Sequence, residues 1–223
     1  MSKLVRIRVW DLPTRVFHWA LALNVVASVG CAKAGWMEWH MRLGYVALTL
    51  LLFRLLWGLV GGRWSRFGAM LFTPAAIWRH LRGRGDPGHG VGHSPVGVLS
   101  VAAMLAVLIA QAATGLVADD EILTQGPLVA LVSGATSLAA TAWHKQWGQW
   151  LIYALVALHL LAIALYHWRG RPLARAMVNG DKCLPPGTPA STDDGGRRAL
   201  ALVVLALAAG LVTWIVRLGA PGG

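Results

Sequence analysis

Four histidines, His18, His40, His144 and His159, lie within or at the ends of long apolar stretches. There an imidazole is costly unless it serves a buried site. On the topology derived below, His18 and His159 fall near one face of a membrane and His40 and His144 near the other. Opposed imidazole pairs at two depths are what two stacked haems b require. Neutral imidazole is a normal axial ligand of haem iron, and ligation from both sides gives a low-spin electron-transfer centre with no open position for oxygen. His144 and His159 are 15 residues apart, so on one helix they differ by about 22 Å in rise and about 60° in rotation. One side of one helix can therefore serve both sites.

A single intramembrane histidine is commonly an interhelical hydrogen bonder, and each of the four alone would be read that way. Their matched depths favour ligation. A site for zinc or a passing ion would need converging carboxylates or thiols, and no Asp or Glu falls inside an apolar stretch. His80, His89, His93 and His167 lie in or beside the loops on the basic face. They read as solvated or headgroup-facing, with His167 the rival to His159. Arg54, in Phe53-Arg54-Leu55-Leu56-Trp57, is the one basic residue deep in a stretch. It suits either a haem propionate, whose carboxylate a guanidinium fork matches, or snorkelling to the headgroups. Gly44, Gly115 and Gly148 would admit a flat macrocycle or close helix packing alike.

These residues sit in a chain of 223 residues that is 57% hydrophobic and 13% charged, with a mean hydropathy of +0.58. That balance belongs to integral membrane proteins, not to ordinary soluble domains. Five stretches are long enough to span: Pro13 to Lys33, Met41 to Val60, Val96 to Ala118, Trp147 to Trp168 and Ala199 to Leu218. Leu128 to Ala142, diluted with Gly, Ser, Ala and Thr, reads as a surface or re-entrant segment.

The net charge of +11 follows topology and is not grouped on a soluble face, so it does not indicate nucleic acid. Fifteen basic residues precede span 1 or lie between spans 2 and 3 and spans 4 and 5, whereas the opposite connections hold only Lys33, Arg42 and Lys145. The positive-inside rule then places the N-terminus in the cytoplasm and the C-terminus outside. A cleaved leader ending near Ser28-Val29-Gly30-Cys31 fits poorly, since Leu is missing three residues before the cysteine and cleavage would discard His18. Cys31 and Cys183 would lie on opposite sides of the membrane.

The connections carry local signals. Thr73-Pro74 can cap and open a short interfacial helix through Leu81, and Ser94-Pro95 opens span 3. The outer connection from Asp119 to Trp143 begins with the acidic run Asp119-Asp120-Glu121, which could attract a basic partner or simply be solvated. Asn179 to Gly196, rich in Pro, Gly, Thr and Asp, reads as a flexible linker. Residues 1–180 are thus expected to be a four-helix cytochrome core, 181–198 a cytoplasmic linker and 199–223 an added transmembrane helix. The fold class expected is all-α, a transmembrane four-helix bundle plus a fifth helix, with two haems b in the bundle as the resemblance described next implies.

At these residues the chain resembles the bacterial di-haem cytochrome b family, the cytochrome b-561 group that includes the cytochrome b subunit of nickel-iron hydrogenases. The matching pieces are Trp10 to Trp19, Trp39-His40-Met41-Arg42-Leu43-Gly44-Tyr45 leading to Phe53 to Trp57, Trp143-His144 and Ala157-Leu158-His159. Gly92-His93-Ser94-Pro95 and Ala113-Thr114-Gly115-Leu116 are similar too. The resemblance covers roughly residues 8–180 and leaves the fifth helix outside. It implies a four-helix core with His18, His40, His144 and His159 as haem-iron ligands, one for each haem coming from the fourth helix.

The function expected is transfer of electrons across the bacterial inner membrane between the quinone pool and an extracytoplasmic partner, a c-type cytochrome or a hydrogenase, on a separate chain. A quinone-linked oxidoreductase acting on a small molecule such as superoxide is the alternative within redox chemistry. From another class, a haem-free anchor or transporter subunit would use the histidines in polar packing. The sequence leaves open a homo-oligomer, the quinone residues and the direction of flow.

Overall fold

The computed structural model describes residues 4–219. They form two compact units, one built from residues 4–18, 54–103 and 157–204, the other from 19–53, 104–156 and 205–219. Among the described residues, five helical stretches are long and apolar enough to cross a membrane, the number expected: Leu12–Lys33, Met37–Val60, Gly88–Val117, Gly134–Trp168 and Gly195–Arg217. Their surfaces agree with that reading. Leu23, Val26, Leu161, Leu202 and Leu207 are all more than half exposed, a cost in water that lipid removes.

Helices α1 (Leu12–Lys33) and α2 (Met37–Val60) are joined through Gly35, which takes the positive φ of 75° that the tight turn needs. α2 begins earlier than hydropathy suggested, so His40 lies in its first turn and not before it. The short α3 (Pro74–Leu81) is opened as expected, with the Thr73 side chain accepting from the Ala76 amide at 3.2 Å and Pro74 at its first position. α4 (Pro95–Val117) starts where Ser94 caps the Gly97 amide at 3.1 Å.

Leu128 to Ala142, expected to be a surface or re-entrant segment, is not separate from the fourth span. From Gly134 it forms α5 (Gly134–Ala142), which runs through a π-helical turn over Trp143–Gly148 directly into α6 (Gln149–Trp168). The acidic run before it is turned inward on its own backbone. Asp119 accepts from the Glu121 amide at 2.8 Å, and Asp120 from the amides of Ile122, Leu123 and Thr124 at 3.1, 3.0 and 2.8 Å. These carboxylates build the loop.

The segment after α6 also departs from expectation. α7 (Leu173–Asn179) leads into strand β2 (Asp181–Leu184), which pairs antiparallel with β1 (Val5–Arg8), Val5 facing Leu184 and Arg8 facing Asp181. The all-α core thus carries one small ribbon. Beyond it, the chain read as a flexible linker is tied down. Ser191 donates to the Val9 carbonyl at 2.7 Å, Trp64 Nε1 to the Pro189 carbonyl at 2.8 Å, and Asp193 pairs with Arg8 and Arg198 at 3.3 and 3.1 Å. Val9, Trp10, Val91 and Ala176 form a small core there. α8 (Gly195–Arg217) buries Ala201, Val204, Ala208 and Val212, one stripe at helical spacing.

Candidate functional site

One pair of histidines lies in the unit that contains the α1–α2 turn and the π-helical turn. The His40 and His144 rings are 5.9 Å apart, centre to centre, and nearly perpendicular at 83°. Each Nδ1 is held by a main-chain carbonyl: His40 by Ser28 at 2.9 Å, His144 by Gln111 at 2.9 Å. A carbonyl can only accept, so both Nδ1 atoms carry the proton and both Nε2 atoms keep a lone pair. That is the tautomer a metal-bound imidazole needs, and the carbonyls fix its ring orientation.

The π-helical turn contributes directly. An i→i+5 turn disturbs the ordinary helix ladder and is frequent at functional sites. Here the His144 carbonyl is taken by the side-chain amide of Gln111, at 3.0 Å. The glycines beside it leave the necessary room. A Cβ on Gly115 would come within 3.0 Å of His144 Cε1, and one on Gly148 would overlap the Gln111 Oε1 atom. The two histidines, Gly44, Gly115, Tyr45 and Tyr153 line a cavity of about 320 Å³.

The other pair lies in the unit that holds the β1–β2 ribbon. His18 and His159 have ring centres 6.4 Å apart at 48°. It is His159 that meets His18, whereas His167 is exposed. Arg54 is only 4% exposed, which removes the snorkelling alternative. Its guanidinium stacks over Phe67 at 4.9 Å, and its Nη1 is buried with no hydrogen-bond partner among the described residues. A buried cation with an idle donor is fitted to receive an anion.

Two residues here escaped the sequence reading. His93 is not solvated: its ring packs on Trp10 at 4.7 Å, its Nδ1 is buried without a partner among the described residues, and it lies within electrostatic reach of Arg54, His18 and His159. Its only sequence signal was Gly92-His93-Ser94-Pro95. Asp11, fully buried, accepts from the Thr14 amide at 2.8 Å, the Gly62 amide at 2.7 Å, Ser65 Oγ at 3.1 Å and Trp57 Nε1 at 3.3 Å. It caps α1 and clamps that helix to the exit of α2, seven residues before His18. Gly62 lets the chain approach, since a Cβ there would strike the Asp11 carboxylate.

Both pairs pass a simple test of size. Two imidazoles on opposite sides of one iron, each nitrogen about 2 Å from the metal, have ring centres about 6 Å apart. The donors are neutral nitrogens with no thiolate or carboxylate among them, a set that suits haem iron.

Long apolar helices that carry facing imidazoles define an integral membrane protein of the redox class. Residues 9–180 match the family described as prokaryotic cytochrome b561, and the chain belongs to that family. It is accordingly a multi-pass membrane protein that binds haem b and transfers electrons. The match ends before β2 and α8. No curated protein and no solved structure matches the chain.

Proposed function

We propose that the chain holds two haems b by bis-histidine ligation and carries electrons across the bacterial inner membrane, between the quinone pool and an extracytoplasmic c-type cytochrome or hydrogenase. The observation that carries this reading is the pair of ring separations, 6.4 Å for His18 with His159 and 5.9 Å for His40 with His144. Each leaves space for one iron between two imidazoles. The charge distribution along the sequence supports an N-terminus in the cytoplasm and a C-terminus in the periplasm.

Haem b supplies a one-electron redox centre when bound. The chain's part is to fix it and keep it dry. Ser28 and Gln111 hold the His40 and His144 tautomers, and the cavity lined by Gly44 and Gly115 would receive part of the macrocycle. Arg54 would hold a propionate of the group between His18 and His159. Ligation by both histidines of each pair would leave no iron position for a small ligand, so electron transfer would be outer-sphere.

The test uses purified protein reconstituted in vesicles. A short-chain quinol should reduce the b-type absorbance, and an oxidised c-type cytochrome added outside should reoxidise it at a rate that rises with its concentration. Reoxidation by superoxide alone would move the function to the small-molecule alternative, and a colourless preparation would end the proposal.

A further inference from the structure

A second cavity, of about 650 Å³, lies at the basic end of the helices, where the chain leaves α6. Its lining includes Arg6, Arg171, Arg175 and Lys182 and a single acid, Asp181. That acid is already engaged: its carboxylate pairs with Arg8 at 2.9 Å and with Arg6 at 3.4 Å. Lys182 is engaged differently, donating to the carbonyls of Gly90, Val91 and Gly92 at 3.3, 2.8 and 3.1 Å, which ties β2 to the turn before α4. Arg171 and Arg175 have no acidic partner among the described residues. The cavity therefore carries excess positive charge and two guanidinium forks free to bind.

Its place along the chain indicates what would fill it. Arg171 follows three residues after Trp168, which ends a 20-residue apolar helix and is 82% exposed, as a tryptophan at the headgroup level would be. Leu173 and Leu184 add apolar lining. The volume is that of a small-molecule cleft, several times what a bare phosphate ion needs. Guanidinium forks match phosphate oxygens in pairs, and basic pockets beside membrane helices suit anionic headgroups.

We propose that this cavity binds the phosphate of an anionic phospholipid headgroup, with Arg171 and Arg175 as its principal contacts and Arg6 in support. The site lies among residues 6–184 of one unit and makes no use of the histidine pairs.

Cys183 lines the same cavity and is an exposed free thiol, so it can report occupancy without any electron-transfer assay. With Cys31 replaced by Ser, Cys183 is the only thiol in the chain. The full-length haem-loaded protein is placed in phosphatidylcholine vesicles, in vesicles with one-fifth phosphatidylglycerol, and in phosphatidylcholine vesicles with added inorganic phosphate. Its labelling by an uncharged maleimide is then timed. Phosphatidylglycerol should slow labelling about tenfold, as for a ligand about ninefold above its dissociation constant. The Arg171→Gln, Arg175→Gln double variant should lose that protection, and Arg84→Gln, outside the cavity, should retain it. Equal protection by inorganic phosphate would overturn the lipid assignment in favour of a free-anion site. No protection by either, or protection that survives the double variant, would overturn the proposal altogether. Both arginines are exposed, and an unchanged haem spectrum in the variants verifies that they fold.

Discussion

Gln111 grips His144 twice: its main-chain carbonyl receives the imidazole Nδ1–H at 2.9 Å, and its side-chain amide donates to the His144 carbonyl at 3.0 Å. The first contact sets the tautomer. The second satisfies a carbonyl within the π-helical turn, so one residue on α4 fixes both the ring and the backbone that carries it. Replacing Gln111 by Leu keeps the first contact and removes the second. Affinity for the haem proposed at the His40–His144 site should then fall about fivefold, the equivalent of the ~1 kcal/mol that one hydrogen bond contributes. Haem titration of apoprotein measures it, with the His18–His159 site as the internal control.

Asp11 should matter more for folding than for redox chemistry. Asp11→Ala leaves the Thr14 and Gly62 amides, Ser65 Oγ and Trp57 Nε1 short of their shared acceptor. Several buried donors lose their partner, at a cost of about 3 kcal/mol. Thermal denaturation in detergent, followed by loss of the haem absorbance, should show a clear drop in midpoint. An unchanged midpoint would mean that the clamp between α1 and α2 is dispensable.

Arg54 offers a charge test. Its guanidinium is buried, with Nη1 lacking a partner among the described residues. Arg54→Gln removes a buried positive charge that lies, like His18 and His159, within electrostatic reach of His93; with Arg54 holding a propionate as proposed, this favours the oxidised iron and lowers the potential of the haem proposed between His18 and His159. Arg54→Lys keeps the charge but not the fork, so the potential should fall less. Redox titration of the two proposed haems separates the cases, and equal shifts at both would contradict the placement of Arg54.

The loop after α4 has a pH dependence of known sign. Three amide donors, from Thr124, Ile122 and Leu123, hold the Asp120 carboxyl down to about 2 from its ordinary 3.8. A carboxylate with a depressed folded-state value stabilises the loop fully above 3.8, and that contribution is lost as pH falls through about 2. Wild-type protein should therefore resist pepsin at this loop near pH 4 and become susceptible towards pH 2. Asp120→Asn should be cut at both. Identical cleavage of the two proteins near pH 4 would deny the carboxylate its role.

The membrane helices were legible because hydropathy and length decide them: all five expected spans end within one residue of an observed helix end. The pairing of His18 with His159 and of His40 with His144 was also legible, since a topology taken from Lys and Arg alone fixed the depths. The join between α5 and α6 was not. Its Gly, Ser and Thr composition reads as a break, and the π-helical turn is supported by Gln111, a partner 33 residues earlier. The β1–β2 ribbon was equally hidden, because its four-residue strands hold charges and lie about 175 residues apart. Arg54 and His93 were ambiguous for one reason: burial of a polar side chain near a helix end is a tertiary fact, set here by Phe67 and Trp10.

Haem stoichiometry tests the central claim most directly. Pyridine haemochrome analysis of the wild-type protein should give two haems b per chain, and His18→Ala with His159→Ala, or His40→Ala with His144→Ala, should each leave one. A single haem in the wild type, or two haems retained after either pair is removed, would contradict the assignment of these four histidines to two bis-histidine centres.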